Sequence, residues 1–373
     1  MDPVPDSIRL PKSAYRYWPT GKDAVLAPGK HGRRLIFHRQ ELTDSEEEQI
    51  RVLQTELEAS PLLCSCLPED WTGFAALRFL YAAKWNVHET VAAVLADLLW
   101  RKATLPTFYP AWPPLAVLNS GGLYVHGRDH KYRPLLIVCP ALLAQFPLER
   151  AMEAGAYLLE FLLEHMLLPG QVENWVLLLD LAGFTGLSRQ MIKRICDFFT
   201  LHYPCRLYNA YVLNCPSSLW SSLSVALSPD TSSHFHIETS ALCDQLLDQF
   251  NESQIERRYG GSTPNIEQFW PAQCPKGRVR VLGHEQTLSD YSSFPEYFPE
   301  RSLTEDSEGR EGGSSVEILY LSDLLAQIAP CQEDDTSETV AANPPRITRA
   351  VRYPAVAVLG PPAGCCESSC SLL

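Results

Sequence analysis

The chain has 373 residues, 46% of them apolar, enough for one or two domains with a sizeable core. A formal charge of −13 argues against nucleic acid as a partner, and no stretch of about 18 apolar residues is present to span a bilayer. Met1–Asp6 lacks the basic-then-apolar pattern of a secretory signal, and of the 12 cysteines the eight in the core, from Cys64 to Cys274, show no zinc-site spacing, which predicts a reduced, cytoplasmic protein with buried thiols.

Residues 1–43 are rich in proline and basic side chains and predict an irregular arm, with a short strand at Leu35–Phe37. Thr43-Asp44-Ser45-Glu46 is a helix start, and the helix should run to Ala59. Phe74, Leu77, Arg78 and Tyr81 recur at helical steps within a second helix, Trp71–Lys84. Asn86 caps a third, Val87–Lys102, and this helical lobe (44–106) ends at Pro106.

A second unit, 107–275, follows a proline-rich link. Leu123–His126 and Leu135–Val138 read as a hairpin around the polar turn Gly127–Lys131. Leu148–Leu168 is a long amphipathic helix stopped by Pro169-Gly170. Then comes Val172–Phe184, with a continuous apolar run from Trp175 to Leu179 closed by Asp180. A run that short, with helical patterns on either side, predicts a central strand of a parallel sheet covered on both faces. Ser188–His202 is a crossover helix, Leu207–Leu213 a strand, Leu219–Leu227 a short apolar helix, His234–Ile237 a strand and Ser240–Phe250 a helix. Residues 276–373 form an acidic tail with a disordered composition, broken by an apolar stripe at 316–328 that predicts a docking helix.

Several segments together carry a family resemblance. They are Arg78-Phe79-Leu80 with Lys84-Trp85-Asn86-Val87, the turn Gly127 to Pro134, Asp180-Leu181-Ala182-Gly183, Tyr203-Pro204-Cys205-Arg206-Leu207 with Asn214-Cys215-Pro216, and Tyr259-Gly260-Gly261. Across roughly 45–270 the chain resembles the CRAL-TRIO lipid-binding family, whose members include phosphatidylinositol/phosphatidylcholine transfer proteins. The resemblance implies an α/β fold: a small N-terminal helical lobe beside a mostly parallel five-stranded sheet flanked by helices. The sheet would floor an apolar pocket, and a gating helix would fall on Leu219–Leu227.

It also implies site positions. Where the family holds an inositol phosphate, this chain has Ala83, Cys205 and His234, with Thr231 keeping a hydroxyl. Where the family holds phosphatidylcholine, it has Leu136, Trp175 and Leu177. An anionic head needs charge-assisted donors, so the pocket should be drier than the family's, taking a phospholipid by its chains, a sterol or an isoprenoid. The expected lining is Tyr124, Leu136, Trp175, Leu177, Leu179, Val212, Trp220, Leu223, Thr231 and His234, with Ile137 a further floor candidate. Matching the transfer free energy of two long acyl chains takes on the order of 20–25 kcal/mol at about 0.8 kcal/mol per CH₂, which only a closed apolar cavity supplies.

No nucleophile elbow, phosphate-cradling loop or His-Glu-x-x-His motif is present, so no catalysis, cofactor or metal is expected. Asp180, at a strand end, is the residue an enzyme would use, but its expected role is to cap backbone donors. The chain ends Cys370-Ser371-Leu372-Leu373, a prenylation pattern, with Cys365 and Cys366 placed for palmitoylation as the second signal. The expectation is therefore a cytoplasmic protein, peripheral on endomembranes or the plasma membrane, that carries or presents a lipid. The rival expectation is a membrane-anchored scaffold or small-GTPase regulator.

Overall fold

The helical lobe follows from its caps. Thr43 Oγ1 accepts the Glu46 N–H at 3.2 Å, and Glu46 Oε2 accepts the Thr43 N–H at 2.9 Å. This capping box starts helix α1 (Asp44–Ala59). Ser60 caps α2 (Pro61–Cys66), Thr72 caps α3 (Gly73–Ala82) and Asn86 caps α4 (Val87–Ala103). Leu53 and Leu57 of α1, Leu77 and Leu80 of α3, and Val94, Leu95 and Leu98 of α4 are all buried. The computed structural model describes residues 7–26, 33–68, 71–107, 109–184, 186, 189–216, 235–276 and 279.

The second unit is built on a five-stranded sheet. Its strands are β1 (Leu123–Arg128), β2 (Pro134–Val138), β3 (Trp175–Asp180), β4 (Leu207–Leu213) and β5 (Phe235–Ile237), lying side by side in chain order. β1 and β2 are antiparallel; all later pairs are parallel. A parallel neighbour needs a crossover connection. Helix α5 (Leu148–His165) supplies it between β2 and β3, and α6 (Arg189–His202) between β3 and β4. A short helix α7 (Asp244–Gln249) follows β5.

The hairpin turn is organised by Asp129, which is fully buried. Its carboxylate accepts the N–H groups of Lys131 and Arg133, both at 2.9 Å, the Arg133 Nε at 2.7 Å and the Gln249 amide at 2.8 Å. Gly127 sits at φ +80°, and a Cβ there would lie 2.0 Å from the Gln254 carbonyl oxygen, so no side chain fits.

Several boundaries differ from the sequence reading, three of them with a visible cause. The short strand falls on Arg33–Arg34, paired with Val25–Leu26, and not on Leu35–Phe37. Leu35 N–H still reaches the Ala24 carbonyl, but beyond it the Ile36 carbonyl accepts from Arg78 and the His38 N–H donates to Glu173. Side chains thus replace the ladder. The long helix stops at His165, because Leu168 pairs with Val172 in a tight turn. The central strand starts at Trp175, since Glu173 and Asn174 are engaged elsewhere. The N-terminal residues are anchored as well as irregular: Ile8 is in the core, and Arg128 donates to its carbonyl at 3.0 Å.

Candidate functional site

Register decides which side chains share a face. Leu136 pairs with Leu177, Val138 with Leu179, and Leu179 with Val212. These, with Trp175 and Ala210 and with Phe235 and Ile237 of β5, lie on one face of the sheet. Leu135, Ile137, Val176, Leu178, Tyr211 and His236 lie on the other. Of the expected lining, Leu136, Trp175, Leu177, Leu179 and Val212 therefore come together. Tyr124 pairs with Ile137 and belongs to the opposite face, as does Ile137 itself. There the Tyr124 hydroxyl donates to Glu256 Oε2 at 2.6 Å. Trp220, Leu223, Thr231 and His234 lie outside the described residues, as do the segment Leu219–Leu227 expected to be a gating helix, the 316–328 stripe, Cys365, Cys366 and Cys370.

The first face divides along its length. Near the strand starts, α5 covers it: Tyr157, Leu158, Leu159, Phe161 and Leu162 are buried in one cluster with Leu123, Val125, Leu136 and Trp175. Trp175 is closed in by Tyr203, ring centroids 6.2 Å apart. Towards the strand ends lies a separate apolar group, Leu181, Val212 and Cys215, ringed by the half-buried Leu179, Phe184, Phe235 and Ile237. Val138 and Leu177 are half-buried too.

Helix α6 adds a wall that the sequence reading did not single out. Phe198 and Phe199 pack against the α5 cluster. Ile192 and Ile195 share their stripe at three- and four-residue spacing, and all four are half-buried. The signal was available as helical periodicity, but the same pattern describes any packed helix. The two crossover helices are held close by Gly155, where a Cβ would lie 2.9 Å from the Phe199 ring, and by Glu149–Arg194 at 3.0 Å.

Polar side chains frame this surface without entering it. Asp180 Oδ1 accepts the Ala182 N–H at 3.0 Å and the Asn214 amide at 2.7 Å, and Oδ2 accepts the Tyr259 hydroxyl at 3.1 Å. The carboxylate ties the ends of β3 and β4 to the closing Tyr-Gly-Gly turn. Burial pushes the Cys139 thiol up to about 11, so it stays protonated. His236 stacks on Tyr211 with ring centroids 4.9 Å apart. His202 Nδ1 lies 2.8 Å from Asp97 Oδ1, within a cluster where Arg101 donates to Asp97 and Glu160, both at 2.9 Å, and to the His202 carbonyl. Among the described residues no group of three or more His, Cys, Asp or Glu could hold a metal, and no helix is long and apolar enough to cross a membrane.

Cys205, at φ +57°, joins the lobe to the sheet domain: its carbonyl accepts from Arg78 Nη1 at 3.4 Å and from the Asn174 amide at 3.0 Å. A shallow cleft lies between the N-terminal segment and the hairpin turn, lined by Tyr17, Asp23, Leu35, Phe37, Lys131, Arg133, Gln171 and Glu173. Its charges are matched internally, Lys131 with Asp23 and Arg133 with Asp129.

Residues 118–261 match the model of the CRAL/TRIO domain. A CRAL-TRIO domain-containing protein of Schizosaccharomyces pombe is 24% identical over 217 residues, which are 56% of this chain and 21% of that protein. The chain thus spans about a fifth of the length of that relative. The crystal structure of Sfh5 is similar over 54% of this chain and 82% of its own, at 14% identity and a TM-score of 0.43.

Proposed function

The chain carries a CRAL/TRIO domain at residues 118–261, and from that premise we propose that it binds a hydrophobic lipid and carries or presents it at membranes without chemical change. One observation carries the reading. Leu177, Leu179, Val212, Phe235 and Ile237 form an apolar face towards the strand ends of the sheet, and all but Val212 are only half-buried. Apolar side chains between a sheet and its covering helix normally close on one another; a half-open set offers surface that acyl chains or a ring system can cover.

The lipid is weakly polar, or a phospholipid held by its chains. Of the two described positions where the resemblance places a charged contact, Ala83 has no polar side chain and ends α3, and Cys205 uses its carbonyl and thiol on Arg78 and Asn174. The two guanidiniums nearest it, Arg78 and Arg206, are taken by Glu173. Native mass spectrometry of the purified chain should show one co-purifying neutral or zwitterionic lipid; a dominant phosphatidylinositol phosphate would sink this choice of ligand.

A second, independent part of the reading is that the clustered thiols Cys365, Cys366 and Cys370 carry lipid chains that hold the protein at a membrane surface.

A further inference from the structure

We propose that the surface around Trp112, Leu115 and Leu142, carried by two stretches without charged residues, is the face on which the protein docks to a zwitterionic bilayer; this rests on the lipid-binding reading and extends it. Residues 105–127 contain no Asp, Glu, Lys or Arg, and neither do residues 134–147. The fold brings the two stretches to one edge of the sheet. Leu123 pairs with Val138, and the Cys139 N–H donates to the Gly122 carbonyl at 2.7 Å. From this edge three large apolar side chains face water: Trp112 at 73% exposure, Leu115 at 49% and Leu142 at 43%.

Placement and rigidity set this surface apart from scattered exposed leucines. Val138 pairs with Leu179, so the edge is the one where the half-open apolar face ends. Ala141 Cβ lies 3.9 Å from where a Cβ on Gly183 would sit, one residue before Phe184. Val117 and Leu118 are buried in the same cluster as Leu136 and Trp175, which fixes the turn carrying Leu115. Pro110, Pro113 and Pro114 restrict the backbone on both sides of Trp112.

The chemistry fits a bilayer. An indole presented beside aliphatic side chains partitions to the headgroup level, with its ring among the upper acyl carbons and its N–H towards water. With no charged residue in either stretch, attraction to anionic lipid contributes little, and binding should rest on buried apolar area. A lipid leaving the half-open face would meet the membrane beside it.

The test uses the full chain and phosphatidylcholine vesicles, with the wild type, the double variant Trp112→Ser/Leu115→Ser and, as a control on the helical lobe, Val52→Ser. Vesicle co-sedimentation is read at low and high salt, with bound lipid measured in parallel. The double variant is expected to lose about tenfold or more in partition while its bound lipid is unchanged. The wild type and Val52→Ser should bind alike and independently of salt. Undiminished binding of the double variant overturns the proposal. So does wild-type binding that is absent or collapses at high salt, or a wild-type dimer that the double variant dissolves. A wild type that carries no lipid strikes the lipid-binding reading instead, whereas retained lipid with unaltered partition strikes this surface alone.

Discussion

His126 is a buried base that its neighbours compensate only in part. Its ring is 3% exposed, and neither ring nitrogen has a side-chain or backbone hydrogen-bond partner of normal geometry. Burial pushes its pKa down to about 4, outweighing the pull of Glu256, while Arg258 adds to the depression. The folded state therefore holds the ring neutral, and the unfolded chain protonates first, near 6.5. The stability this contributes is present in full above pH 6.5 and is lost as pH falls towards 4, by roughly 3 kcal/mol in all. Urea unfolding at pH 7 and pH 5 should show a drop that His126→Phe reduces by about 2 kcal/mol. Equal pH dependence in the two proteins would refute the assignment. Nothing in the order of residues marks His126: it stands in a predicted strand, and distant segments packed on that strand, among them residues 254–258 and Gln273, bury it. Asp180 is the opposite case. Its place between an apolar run and Ala-Gly predicted a capping carboxylate, and Ala182, Asn214 and Tyr259 are its donors.

Between elements, Glu173 joins three parts of the chain. Its carboxylate accepts from Arg78 of α3 at 2.6 Å, from Arg206 before β4 at 2.8 Å, and from the backbone N–H groups of His38 and Gly170. Burial alone would raise its pKa; the two guanidiniums and the two backbone donors outweigh that and hold it below the usual carboxylate range. Removing one partner of a buried pair leaves the other charge desolvated, at a cost of about 3–5 kcal/mol. Glu173→Gln should lower stability by that order in denaturant titration. Arg78→Met in the same chain should restore part of it, because one of the stranded guanidiniums is then gone. Strict additivity of the two substitutions would show that the pair is not coupled. Arg78 was legible as one position on an apolar helix stripe and as part of a family signature. Its partner, 95 residues away, was not.

At the scale of the whole molecule, the tail reading makes a cellular prediction. Cys370→Ser should move the protein from the membrane to the soluble fraction, since one lipid chain binds only marginally and stable anchoring takes two signals. Unchanged fractionation would remove the tail from the account. The membrane surface proposed at Trp112 is separate, because Trp112 lies within the sheet domain and not in the tail.

The sequence alone determined the local pieces. Caps at Thr43 and Asn86, the apolar run at 175–179 and the alternation at 207–213 set element type and order, because hydrogen-bond caps and side-chain periodicity act over a few residues. Tertiary structure decided which of those pieces face one another. Tyr124 and Leu136 both stand on strands of the hairpin, yet the register of β1 against β2 puts them on opposite faces. The same geometry sets the charge-free turn at Leu115 beside the open end of the sheet. A one-residue change of register reverses every side chain on a strand, and register is fixed by contacts between segments far apart in the chain.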